Sequence, residues 1–216
     1  MDFSAARRNM VERQVRTNKV TDGPVLEALS RVPRELFVPA GLREVAYVDE
    51  DVPVGNGRYL LEAMVFARLL QAAELQPEDS VLDIGCCSGY STAVFARLVK
   101  RVVALESDSA LAQIARTKLQ ELSIGNATVV EGPLERGWSE QSPYNAIVLG
   151  GAAGEIPDLI LHQLAEGGRL VGVENRGEIG RAMLYLCHRG VVSSRPLFDA
   201  AVAMLPGLTV EPSFVF

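Results

Sequence analysis

Two carboxylates and the small residues between them are the groups in this chain whose spacing points to chemistry. Asp83 stands before the run Gly85-Cys86-Cys87-Ser88-Gly89-Tyr90, and Glu106 closes the apolar run Arg101-Val102-Val103-Ala104-Leu105. The pattern reads as a strand, a tight loop, a helix of about ten residues, and a second strand that delivers an acid about 20 residues on, the offset at which an acid meets a ribose. Glu106 can accept from both hydroxyls of such a sugar, Asp83 suits a cationic group, and Gly85 and Gly89 let backbone approach the ligand. A dinucleotide is disfavoured. Its pyrophosphate requires Gly-x-Gly-x-x-Gly, and counted from Gly85 this chain offers Cys87 and Tyr90 at the other two places.

Holding two acids at neighbouring strand ends requires strands that alternate with helices. Beyond the loop, residues 109–122 place Leu111, Ile114, Ala115, Leu119 and Leu122 at helical spacing behind a cap at Asp108 or Ser109. Residues 128–130, 146–149 and 169–173 read as further strands, so the sheet is mostly parallel. Residues 182–187 and the tail Phe214-Val215-Phe216 continue the β pattern, at least one of them antiparallel, and the tail is also a candidate subunit contact. The expected organisation is a single domain over 1–216, with a helical preface and substrate loop at 1–75 and a Rossmann-like body at 76–216.

In the preface, Phe3, Met10, Val11 and Val15 form an apolar stripe between arginines read as solvated. Asp22 caps a helix with Pro24 in its first turn and Val25, Leu26 and Leu29 on its buried face. Residues 31–39 form a rigid, proline-bracketed connection, residues 55–57 a glycine-flanked loop, and residues 60–70 an amphipathic helix.

Composition narrows the partners. With 48% hydrophobic residues, 22% charged residues and a formal charge of −6 over 216 residues, the chain has a full core and no broad cationic face for nucleic acid or an anionic membrane. Peptides, proteins and small molecules remain. Residues 1–16 lack the apolar core of a secretory leader and no run is long enough to span a bilayer, so a cytoplasmic place is expected. The three cysteines, two of them adjacent, give no disulfide framework, and Cys87 reads as a small loop residue. His162 and His188 stand apart without metal-ligand spacing, and no metal is expected.

The run Asp83-x-Gly85-x-Cys87-Ser88-Gly89 resembles the first motif of S-adenosylmethionine (SAM) dependent methyltransferases. Over nearly its whole length the chain further resembles the protein-L-isoaspartate O-methyltransferase family. The resemblance is carried by Asp22-x-x-Val25-Leu26-x-Ala28, Val32-Pro33-Arg34-Glu35-x-Phe37-Val38-Pro39, Ala46-Tyr47-x-Asp49 and Pro53-x-Gly55-x-Gly57. Gly137-Trp138, Pro143-Tyr144-Asn145-Ala146-Ile147 and Gln163-Leu164-x-x-Gly167-Gly168-Arg169-Leu170-Val171 continue it downstream. It implies a Rossmann-like fold, SAM held by Asp83, Gly85, Cys87, Ser88, Gly89, Tyr90, Glu106, Pro133 and Leu134, and methyl transfer to the carboxylate of isoaspartyl residues in damaged proteins.

The chain departs from the family's usual pattern at three places. Where the family presents Gln-Thr-Ile-Ser-Gln-Pro, this chain has Arg58-Tyr59-Leu60-Leu61-Glu62-Ala63, with Leu61 at the serine position. Gly132-Pro133-Leu134 replaces Gly-Asp-Gly, and Cys87 replaces a glycine. Arg58 and Tyr59 are the candidate substitutes for the missing hydroxyl. Two other readings stay open: a methyltransferase with another acceptor, and a SAM-binding protein without catalysis.

Overall fold

The computed structural model describes residues 1–177 and 179–209; the expected tail strand at 214–216 lies outside them. Helix α1 (Phe3–Met10) starts at Asp2, whose side chain accepts from the Ala5 amide at 3.0 Å. It runs on through a π-helical turn (Val11–Val15) and a 3₁₀ turn (Arg16–Asn18) to Lys19 at φ +65°. Helix α2 (Gly23–Arg31) begins where expected, with the Val25 amide donating to Asp22 at 3.0 Å and Val25, Leu26 and Leu29 buried. Of the arginines beside this stripe, Arg8, Arg13 and Arg16 are exposed as the solvated reading has them, and Arg7 differs. Arg7 donates to both carboxylate oxygens of Glu35 and to the Tyr47 hydroxyl, so the polar face of α1 is tied to residues 35–47.

A short antiparallel hairpin, β1 (Val52–Gly55) and β2 (Arg58–Leu60), stands where the sequence suggests a loop running into a helix. Leu60 pairs with Val52, and α3 (Ala63–Ala73) starts three residues later than the apolar pattern, once the Glu62 amide has bonded Asp51 at 2.7 Å. The Asn56-Gly57 turn supports this hairpin, Asn56 and Gly57 sitting at φ +52° and +70° as a tight turn of this hand requires.

The body follows as β3 (Ser80–Ile84), α4 (Tyr90–Phe95), β4 (Arg101–Glu106), α5 (Ser109–Glu121), β5 (Ala127–Glu131), β6 (Tyr144–Ala153), α6 (Asp158–Leu161), β7 (Leu164–Glu174), β8 (Arg181–His188) and β9 (Val191–Asp199). The strand order is β5-β4-β3-β6-β7-β8-β9; the first five in that order run parallel, β8 pairs antiparallel with β7, and β9 pairs antiparallel with β8. The connections reverse direction between β3 and β6, and ligands of open sheets bind at such a point, outside the carboxyl ends of the strands. Helix α4 is shorter than the ten residues expected because the Arg97 and Leu98 amides bond back three residues, to Val94 and Phe95, and tighten the chain into a turn. Strand β9 carries Pro196 and a polar run that hide it in the sequence; as the last strand of the sheet it tolerates a missing donor.

Side chains alternate between two cores. Val81, Val102, Ala146 and Val148 face the preface and α3, whereas Leu82, Ile84, Val103, Leu105, Ile147 and Leu149 face α6 and Leu134. By this period of two, Asp83 points to the preface side. Helix α5 follows its pattern except at Ile114, which is exposed. Among the described residues no helix is long and apolar enough to cross a membrane.

Candidate functional site

The two acids end adjacent strands and are both fully buried, yet their surroundings differ. Asp83 Oδ2 accepts from the hydroxyls of Ser91 and Thr92, each at 2.7 Å, while Oδ1 has no partner among the described residues. Burial pushes this carboxyl up to about 6, against the pull of the two hydroxyls. Glu106 is saturated. Its Oε1 accepts from Arg58 Nη1 at 2.6 Å and from the Ser107 and Asp108 amides at 2.8 and 3.1 Å, and its Oε2 accepts from the Cys87 amide at 2.8 Å.

The loop between them is held by backbone. The amides of Gly85 and Cys86 both donate to the Leu105 carbonyl, which brings the two strand ends together. Gly85 sits at φ +79°, and a Cβ there would lie 2.7 Å from Arg58 Nη2. Gly150, on β6, closes the other side: a Cβ there would lie 2.5 Å from the Gly85 carbonyl oxygen. Cys87 takes a left-handed φ of +52°, which costs a residue with a Cβ roughly 1–2 kcal/mol, and burial raises its thiol to about 12, so it is inert as a nucleophile.

The hairpin β1–β2 covers this loop, and with it come Tyr59 and Leu61 at the cleft wall. The Leu61 carbonyl accepts from Arg34 Nη2 at 2.8 Å, and Arg34 Nε donates to the Ala46 carbonyl at 2.6 Å, a buried strut between the preface and the acceptor wall. The Arg34 guanidinium also lies 5.0 Å over the Tyr90 ring. At the tip of the hairpin, Asn56 Nδ2 donates to Asp108 Oδ2 at 2.6 Å.

Asp83, Gly85, Cys87, Tyr90 and Tyr59 therefore meet at one cleft, with Glu106 reached through Arg58 and Cys87. Of the other expected residues, Ser88, Gly89 and Leu134 make packing contacts within the chain. Ser88 Oγ donates to the Phe37 carbonyl at 2.5 Å and fastens the loop to the preface. Gly89 gives room to α5, since a Cβ there would lie 3.1 Å from that of Ala115. Leu134 is buried in the core on the α6 side, and Pro133 is exposed at the head of a 3₁₀ turn. Arg58 differs most from expectation: its guanidinium is turned inward on Glu106 and on the Gly85 carbonyl, 3.1 Å away, instead of facing an acceptor. Ser91, Thr92, Arg34 and Asn56 were not singled out by sequence reasoning. For Ser91 and Thr92 the available signal was a pair of hydroxyls in the first turn after the loop, within reach of the strand-end acid.

The donor and acceptor set fits SAM. An unpartnered buried carboxylate oxygen at Asp83 suits an ammonium group, and the Glu106 carboxylate suits a sugar diol.

Comparison with known proteins agrees with this. Residues 5–185 match the family model described as Protein-L-isoaspartate(D-aspartate) O-methyltransferase. A protein-L-isoaspartate O-methyltransferase of Synechococcus sp. (strain JA-2-3B'a(2-13)) is 42% identical over 169 residues, 78% of this chain and 69% of the relative. One from Methanoculleus marisnigri is 36% identical over 201 residues, 93% of this chain and 91% of the relative. A solved protein-L-isoaspartate O-methyltransferase superposes with a TM-score of 0.82 at 24% identity, covering 94% of this chain and 67% of the other. A Plasmodium falciparum structure assigned provisionally to the same enzyme, in complex with S-adenosyl-L-homocysteine, gives a TM-score of 0.80 at 20% identity over 92% and 97% of the two chains. The fold, the strand-end acids and these matches agree: the chain belongs to the protein-L-isoaspartate(D-aspartate) O-methyltransferase family of SAM-dependent methyltransferases.

Proposed function

We propose that this chain methylates the carboxylate of isoaspartyl residues in peptides or proteins, with Asp83 taking the ammonium of SAM and Glu106 its ribose hydroxyls. The observation that carries the reading is the unpartnered, buried Oδ1 of Asp83 one strand away from Glu106. SAM supplies an electrophilic methyl group. The acceptor carboxylate is already ionised at neutral pH, so no side chain has to remove a proton, and the chain's task is alignment and exclusion of water. Gly85 and Gly150 bring backbone close to the methyl donor, and Tyr59, half-buried at the cleft wall, offers a hydroxyl to the acceptor. Arg34 fixes the Leu61 backbone and so the depth of that wall.

Leu61 replaces a serine hydroxyl with an apolar side chain, and loss of a hydrogen bond to a charged oxygen costs about 1.5–3 kcal/mol, roughly ten- to hundredfold in rate. Slow but selective turnover follows. Three buried free cysteines go with a reducing, cytoplasmic setting, and the net negative charge with a protein or peptide partner in place of nucleic acid.

Methyl transfer from labelled SAM to an isoaspartyl peptide and to its aspartyl counterpart tests the reading. Transfer confined to the isoaspartyl peptide is expected. Cofactor binding without transfer to either would oppose it and favour another acceptor or a non-catalytic role, as the Leu61 replacement would then suggest.

A further inference from the structure

We propose that Arg58 is an internal occupant of the cofactor seat, which SAM must displace in order to bind; the proposal rests on the seat assigned above. Arg58 lies on a hairpin at the rim of the molecule, yet it is only 4% exposed. Its guanidinium spends its donors on two acceptors, Glu106 Oε1 at 2.6 Å and the Gly85 carbonyl at 3.1 Å. Glu106 ends β4 and Gly85 follows β3, the strand that borders the switch point outside whose carboxyl end a nucleotide lies in an open sheet. The Glu106 carboxylate is the acceptor assigned to the cofactor's ribose, and a ribose diol and a guanidinium compete for the same carboxylate lone pairs. The space the seat's glycine leaves open is filled by the same group, since a Cβ on Gly85 would meet Arg58 Nη2 at 2.7 Å. The adjoining cavity, on the Asp83 side of Gly85, is about 20 Å³, whereas ligand sites run from roughly 300 to 1,000 Å³.

The element that carries Arg58 stands outside the main sheet and is seated on the core by Val52, Val54 and Leu60. Strands β1 and β2 pair only with each other, and a two-stranded hairpin of this length is marginal by itself. Three polar ties hold it to the body: the Arg58 contacts within the seat, the Cys87 thiol donating to the Tyr59 carbonyl at 3.6 Å, and the exposed bond from Asn56 to Asp108 at 2.6 Å. Opening the hairpin withdraws the guanidinium and enlarges the cavity in one motion. A site that is competent only when open binds its ligand more weakly by the open fraction, and any change that raises that fraction tightens binding.

Titration calorimetry of the intact chain with S-adenosylhomocysteine, beside R58M and N56A, tests the proposal. R58M is expected to bind at least tenfold more tightly than the parent. N56A, whose side chain touches Asp108 and none of the seat, is expected to bind severalfold more tightly with a small drop in melting temperature, since alanine takes over a left-handed φ of +52°. Equal or weaker binding by a folded R58M overturns the proposal; if R58M does not fold because Glu106 has lost its counter-charge, N56A decides, and equal or weaker binding there overturns it. Should the parent bind and neither variant improve on it, the proposal alone falls. If none of the three binds, the cofactor reading fails and the proposal falls with it.

Discussion

Asp83 and Glu106 end neighbouring parallel strands, are equally buried, and are treated in opposite ways by the residues around them. Glu106 receives a guanidinium and three backbone amides, so its charge is compensated within the chain. Asp83 receives two hydroxyls on one oxygen and, among the described residues, nothing on the other, and burial lifts its carboxyl to about 6. The difference teaches how a site for one ligand distributes its cost. One acid is kept satisfied by a group that a ligand can replace; the other is left short of a cation that the ligand brings.

The largest expected effect comes from removing the compensated acid. E106Q leaves Arg58 buried without its anion, and breaking a buried ion pair on one side costs about 3–5 kcal/mol. Urea denaturation should show that loss as a lower midpoint, and S-adenosylhomocysteine affinity should fall at least a hundredfold. A stable E106Q with parental affinity would remove the acid from the ribose role.

D83N should act in the opposite direction on stability. A carboxyl whose folded pKa is raised from 3.8 to about 6 holds its proton more tightly in the folded chain. Its contribution to stability is therefore fully present below 3.8 and is lost as pH rises through about 6, a difference of about 3 kcal/mol at neutral pH. The neutral amide avoids that loss, so D83N is expected to be more stable than the parent at neutral pH by up to that amount and to flatten the stability profile between 3.8 and about 6. It should also bind SAM ten- to hundredfold more weakly, and the parent's affinity should decline as pH falls below about 6 while that of D83N does not. Denaturation midpoints and calorimetric titrations across that range check both arms; a D83N less stable than the parent at every pH would show that Asp83 is compensated by something other than the two hydroxyls.

The smallest effect is expected from S91A. Ser91 is only partly buried, and removing one of two donors to Asp83 Oδ2 should cost about 1 kcal/mol and raise the pH at which SAM affinity declines. An unchanged pH profile in S91A would show that Thr92 alone sets the charge of Asp83.

The acids and strands were legible because periodicity and residue type agree there. Val81-Leu82 and Val102-Val103 alternate between two cores, and a carboxylate at the end of an apolar strand has few structural uses. The seat's occupant was harder to see. Arg58 follows Gly55-Asn56-Gly57, which reads as loop, yet an Asn-Gly turn between Val52, Val54 and Leu60 is also a hairpin signal. Once the hairpin forms, alternation buries Arg58 and Leu60 and leaves Tyr59 between them half-exposed. Ser88 and Gly89 sit in a motif where ligand and packing roles use the same small residues, and only the positions of Phe37 and Ala115 separate them. Arg7 and Arg34 hold distant preface segments together, contacts that helical spacing cannot show.

A crystal structure of the chain with S-adenosylhomocysteine bound would test the central claim most directly. The account predicts the Glu106 carboxylate on the ribose hydroxyls, the Asp83 Oδ1 paired with the amino group, and Arg58 withdrawn from both Glu106 and the Gly85 carbonyl. A bound ligand beside an intact Arg58–Glu106 pair, or one seated away from the ends of β3 and β4, would contradict it.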